Sequence, residues 1–132
     1  MKFGYKKFSS TVLRPIIPIE IGYKDFFIGY EVLVDSGADI CIFDAEIGEL
    51  LGINIKLGEK KEVYGITGVV ENYYLHPITI RVGGWPFKIK AGFIPDLGKR
   101  QRYGVVGQIG FFDIFIVKFD LIKEEIELKE RK

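Results

Sequence analysis

A carboxylate at the end of an apolar run is the feature of this chain best suited to chemistry. Val32-Leu33-Val34 leads into Asp35, and Ser36, Gly37, Ala38 and Asp39 follow. Ser36 is small and can hydrogen-bond, and Gly37 lets the backbone turn tightly and lets a ligand approach. A carboxylate held rigidly in this way gains its full use beside a second one. Two carboxylates at close range cannot both ionise, so the pair shares a proton. The ionised member then takes a proton from water, and the protonated member donates to the oxyanion that forms when that water attacks a carbonyl. The triplet Asp-Ser/Thr-Gly arises by chance in roughly one chain in twenty of this length, given average residue usage. Alone it reads more readily as a Ser-Gly turn after a strand.

The second carboxylate is not supplied by a second triplet. Asp96-Leu97-Gly98 lacks the small hydroxyl and sits in a polar stretch. A chain of 132 residues is too short for two such lobes. A two-fold axis would bring a second Asp35 at no further cost in sequence, because a symmetric interface places the same loop on both sides. The expectation is a homodimer, with the N-terminal arm and the strands near 115–119 and 125–128 as the interface, and with an extended peptide or protein segment as substrate, held through backbone bonds and alternate side chains.

Other chemistries find little support. His76 is the lone histidine and precedes Pro77 in a strand-like run, which argues against a zinc triad or a Ser-His-Asp site. Cys41 is the lone cysteine; it cannot form an internal disulfide, and its apolar neighbours suit a buried thiol. No metal or cofactor is expected. Gly65 and Gly68 do not make a phosphate loop, since no Lys-Ser/Thr follows. A formal net charge of +1 gives no reason to expect nucleic acid or an anionic membrane surface. No apolar run reaches the length of a membrane span, and Met1-Lys2-Phe3-Gly4-Tyr5 lacks the apolar stretch of a signal peptide. The expected location is the cytoplasm.

The elements that must hold Asp35 read as β-rich. Apolar residues make up 48% and charged residues 28% of the chain, and sixteen glycines punctuate short apolar runs. A single domain over 1–132 is expected, its core about 14–128, preceded by an N-terminal arm over 1–13. Strands are predicted from Arg14 to Ile21, from Phe26 to Val34, over Ile40–Phe43, on both sides of a glycine-flanked tip at 65–68, over 73–82, 85–94 and 103–107, and as a closing hairpin near 115–119 and 125–128. Gly22-Tyr23-Lys24-Asp25 reads as the first turn. Asp44 is placed to cap a helix over Ala45 to Leu51, with Ile47, Leu50 and Leu51 facing in and Gly52 ending it. Gly110-Phe111-Phe112-Asp113 reads as a short helical turn. The sum is all-β with one or two short helices, most simply a small closed barrel.

With these segments in order, the chain resembles the retropepsins, the retroviral aspartic proteases, and most closely their single-domain cellular and prokaryotic relatives. The likeness rests on Arg14-Pro15, on Leu33-Val34-Asp35-Ser36-Gly37-Ala38-Asp39, on the flap-like Gly65-Ile66-Thr67-Gly68, on Val105-Val106-Gly107 and on Gly110-Phe111-Phe112-Asp113. It implies a homodimeric aspartic endopeptidase with Asp35 as the catalytic carboxylate. Ser36 would bond across the dimer axis. Gly37, Ala38 and Asp39 would meet substrate, Gly65, Ile66, Thr67 and Gly68 would close over it, and Val106 would line a side-chain pocket. Arg14 would pair with Asp39 of the other chain. The sequence departs from the family at Gln108, where viral enzymes often have Arg, at Thr67, which replaces a flap glycine, and at Ile40, which makes the neighbouring pocket apolar. The alternative on the same fold is a peptide-binding or dimerisation module that cleaves weakly or not at all.

Overall fold

In a computed structural model, which describes residues 1–64 and 70–131, twelve strands and one short α-helix are seen. The strands are β1 (Lys2–Gly4), β2 (Lys6–Lys7), β3 (Leu13–Arg14), β4 (Ile16–Tyr23), β5 (Phe26–Val34) and β6 (Ile42–Asp44). They continue as β7 (Glu59–Tyr64), β8 (Val70–Val82), β9 (Trp85–Ile94), β10 (Gly104–Val106), β11 (Phe115–Asp120) and β12 (Glu125–Glu130). The helix α1 is Ala45–Leu50. The flap-tip residues Gly65, Ile66, Thr67 and Gly68 lie outside the described residues.

The main sheet runs β4-β5-β10-β6-β9-β8-β7, and β4 also pairs with β8, so six of these strands close into a ring with β7 attached outside it. Closure leaves β7 as the sheet's exposed edge. Most neighbours are antiparallel, but β10 lies parallel to β5 and β6 parallel to β9. Alternation along the strands fills the ring: Ile17, Ile19 and Ile21 from β4, Val32 and Val34 from β5, Ile78, Ile80 and Val82 from β8, and Ala91 and Phe93 from β9 are buried. Phe43 meets Phe93 edge-to-face at 6.0 Å and Tyr30 at 5.8 Å. Pro18 sits in β4 opposite Glu31 of β5, before the stretch 20–22 where β8 pairs, so its missing N–H leaves no ladder bond unmade. Among the described residues, no helix is long and apolar enough to cross a membrane.

Several elements differ from the sequence expectation. The first turn is shorter, because β4 continues through Tyr23 and only Lys24 and Asp25 connect it to β5. Gly22 belongs to the strand, where the ring of Phe27 fills the space a Cβ would need. Strand β6 starts at Ile42, two residues late. In α1 the buried face is Ala45 and Gly48, continued by Leu51 just past the helix, at a spacing of three; Leu50 points outward and is 69% exposed. The helix comes that close because Gly48 has no Cβ to meet Ile55 and Phe93. Asp44 caps it, Oδ1 accepting from the Glu46 amide at 3.1 Å, and Gly52 ends it at φ +91°. Residues 108–114 form linked turns instead of a helix. Gly110 takes φ +100°, which interrupts helical bonding, and the amides of Phe112 and Asp113 reach back five residues to Gly107 and Gln108.

The N-terminal arm is partly structured. Strand β1 pairs antiparallel with β12, completing a three-stranded sheet β1-β12-β11, and the terminal ammonium donates to the Leu128 carbonyl at 3.0 Å. Ile126, Leu128 and Phe115 bury one face of that sheet. The outer edge of β11 is unpaired among the described residues, and Ile116, Phe119, Leu121 and Ile122 are exposed beside it.

Candidate active site

Asp35 follows β5 directly, and its position is set by the strands on either side. Pro15 accepts from the Val34 amide on one flank, and Val106 of β10 accepts from the Asp35 amide at 3.0 Å on the other. The side chain is half-buried, and its Oδ1 accepts the Gly37 N–H at 2.9 Å. The Ala38 amide closes the turn onto the Asp35 carbonyl at 3.2 Å. A carboxylate held by a turn of its own backbone has little rotamer freedom left, which is the rigidity acid–base work requires.

One segment, 106–109, then fastens the whole loop. The Gln108 amide donates to Ala38 at 2.8 Å, the Ile109 amide to Asp39 at 3.0 Å, and the Gln108 side-chain amide to the Ser36 carbonyl at 2.9 Å. Ile40 and Ile109 form an isolated parallel bridge. The two segments cross so closely at Gly107 that a Cβ there would lie 2.5 Å from the Ala38 carbonyl oxygen and 2.6 Å from that of Ile40. The role of Gln108 was not visible in the sequence, where it counted only as a missing Arg. A neutral amide donor serves the loop backbone directly. Replacing Gln108 by Ala should leave the fold intact, at a cost of about 1 kcal/mol since water can reach the exposed Ser36. It should accelerate amide hydrogen exchange at Gly37 and Ala38 relative to β5, as read by exchange mass spectrometry or NMR.

Gly37, Ala38, Asp39 and Ile40 form one wall of a groove of about 460 Å³ whose other walls are Ile42, Glu62, Val63, Glu71, Tyr73 and Ile94. Sequence reasoning placed the first three residues at substrate but missed the others, because Ile42, Glu62, Val63, Glu71, Tyr73 and Ile94 are brought together from β6, β7, β8 and β9 only by the pairing of those strands. Val106, expected to line a side-chain pocket, is fully buried in the core. Side chains alternate along β10, so Val105 is the half-exposed member of the pair. The expected pair between Arg14 and Asp39 would join two chains; within this chain Arg14 donates to the Tyr103 hydroxyl at 2.7 Å and lies 4.8 Å over the Phe8 ring. Ser36 and Ile109 are exposed beside the loop.

The remaining titratable groups have structural positions. Cys41 is fully buried, its thiol facing the Ile109 carbonyl at 3.5 Å. Burial pushes its pKa up to about 11, so the thiolate that a nucleophile needs is disfavoured. Tyr30 accepts from the Asp44 amide at 3.3 Å, and burial pushes its phenol up to about 12. His76 Nε2 lies 2.7 Å from the Ile55 carbonyl, a bond that requires the proton on that nitrogen, and the ring meets Phe93 edge-to-face. The loop after β9 is tied down by the buried Leu97 and by Arg100, whose guanidinium meets Glu71 at 2.6 Å. Among the described residues no three His, Cys, Asp or Glu side chains gather as a metal would require.

A closed ring of strands with a carboxylate loop threaded by an apolar-apolar-glycine segment is the aspartic-protease fold in its retropepsin-like form. Solved structures agree with that reading. A retropepsin-like aspartic protease from Rickettsia conorii matches with a TM-score of 0.68 at 17% identity, over 97% of this chain and 89% of that one. EIAV protease, solved with the inhibitor HBY-793, matches with a TM-score of 0.51 at 20% identity, over 76% of this chain and 86% of that one. No family model and no curated protein matches the sequence. The likeness is therefore one of fold.

Proposed function

We propose that this chain is one half of a homodimeric aspartic endopeptidase that hydrolyses peptide bonds in extended substrates. The observation that carries the proposal is the position of Asp35: a half-buried carboxylate, anchored by the Gly37 amide and by the 106–109 segment, in the loop whose next residues, Gly37 to Ile40, line a groove. A two-fold axis beside the exposed Ser36 would set two such carboxylates together. They would share one proton, the ionised member activating water and the protonated member meeting the oxyanion. Ser36 is the residue suited to bond across the axis. The free edge of β11 and the exposed Ile116, Phe119, Leu121 and Ile122 offer apolar surface for the second chain, and an unpaired strand edge is a natural template for pairing. The flap-like residues 65–68 would cover the substrate.

A site divided between two chains has a kinetic signature. Specific activity, measured on a mixed peptide substrate from acid to neutral pH, should rise with protein concentration in step with the dimer fraction seen by sedimentation. Cleavage that stays constant per chain down to concentrations where sedimentation shows only monomer would contradict the shared site. Absence of cleavage at every pH, with dimer present, would favour the non-cleaving binding module on the same fold.

A further inference from the structure

The groove beside Asp35 has two kinds of wall. Ala38, Ile40, Ile42, Val63 and Ile94 give it an aliphatic lining, while its charged lining consists of Asp39, Glu62 and Glu71, and among the described residues no Lys or Arg lines it. Glu71 is already matched by Arg100. Asp39 and Glu62 have no ion-pair partner among the described residues. Lys60, on the same face of β7 as Glu62, does not line the groove. Aliphatic lining beside the unpaired charge of Glu62 fits a side chain that is apolar along its stem and cationic at its tip. A purely aliphatic residue would cover the apolar lining and leave the carboxylate hydrated. An acidic residue would meet like charge in a partly enclosed site, where repulsion is stronger than in open water.

Resting on the reading of this groove as the substrate site, we infer that it selects peptides carrying Lys or Arg at the position that enters it, with Glu62 as the residue that sets the sign of the preference. Glu62 is the informative position because Asp39 is already expected at substrate backbone and at the dimer contact, and Glu71 has Arg100. Glu62 is exposed on the edge strand β7, so changing it does not disturb the core.

The test uses three labelled peptides, identical except for Lys, Leu or Glu scanned through each position, and fluorescence anisotropy on Asp35→Asn protein, so that binding is read without turnover. Affinity for the Lys peptide should exceed that for the Glu peptide by about tenfold at one position, and should fall toward the Leu value as salt is raised. Glu62→Lys in the same background should reverse the order, and Glu62→Gln should shrink it. Equal binding of all three peptides, binding of none, or a preference untouched by Glu62→Lys would overturn the inference. Hydrolysis of the same peptides by the wild-type chain is read separately. A Lys preference in binding without any hydrolysis would leave the specificity standing and overturn the catalytic reading.

Discussion

Replacing Asp35 by Asn should lower peptide hydrolysis by about a thousandfold or more while leaving the fold and the proposed dimer in place. Asn has nearly the same shape, and its side-chain oxygen can still accept the Gly37 N–H that Asp35 Oδ1 accepts at 2.9 Å. What it lacks is a group that can take a proton from water. In a homodimer the substitution removes both members of the pair together, so neither the base nor the acid survives. The loss should appear in kcat with little change in peptide affinity or thermal stability. The half-site can be tested further by mixing. If chains exchange at random and one Asn disables a dimer, an equal mixture of wild type and variant retains about one quarter of the wild-type rate, against about one half if each chain works alone. Equal hydrolysis by wild type and variant would remove Asp35 from the mechanism.

The strands that hold Asp35 were largely readable in the sequence because their signals are local. β5 and β9 occupy the residues predicted for them, and the Gly83-Gly84 turn between β8 and β9 takes φ +58° and +87° as two glycines invite. The misreadings share a cause: each depended on what lies across from the residue. Val106 was assigned to a pocket and Val105 was not, although the two differ only in which face of β10 they occupy. That choice follows from register against β5, where Val106 stands beside Val34 and Val105 beside Leu33. Leu50 was placed inward by hydrophobicity, whereas Gly48 forms the contact because a glycine lets α1 approach Phe93. The outer wall of the groove was invisible for the same reason. Glu62 and Glu71 are unremarkable charged strand residues until β7 folds back on β8 and sets them opposite the Asp35 loop. Gln108 was weighed as a departure, and only the backbone crossing shows its amide reaching Ser36.

The largest stability effect should come from the crossing itself. Gly107 has an ordinary negative-φ backbone, so alanine there meets no conformational penalty of its own; the obstacle is steric, with carbonyl oxygens of Ala38 and Ile40 at 2.5 and 2.6 Å from the new Cβ. Those oxygens belong to backbone that also accepts from Gln108 and carries the Ile40–Ile109 bridge, so neither side can yield without breaking bonds. Overpacking of this kind costs about 2–3 kcal/mol, and for a chain of this size the melting temperature should fall by on the order of 10 °C. Gly29→Ala is the matched comparison. Its Cβ would meet nothing within 4 Å, and the substitution should be neutral or slightly stabilising. The consequence for the site is larger than the loss of stability. Relief of the clash must push 38–40 away from 106–109, and Asp35 is bonded to both through its own amide and the turn to Ala38. A shift of about 1 Å in a catalytic group can cost about a hundredfold in rate. Gly107→Ala should therefore lose activity at temperatures where circular dichroism still shows it folded, while Gly29→Ala retains it. Full activity in a folded Gly107→Ala chain would mean that the crossing does not position the carboxylate.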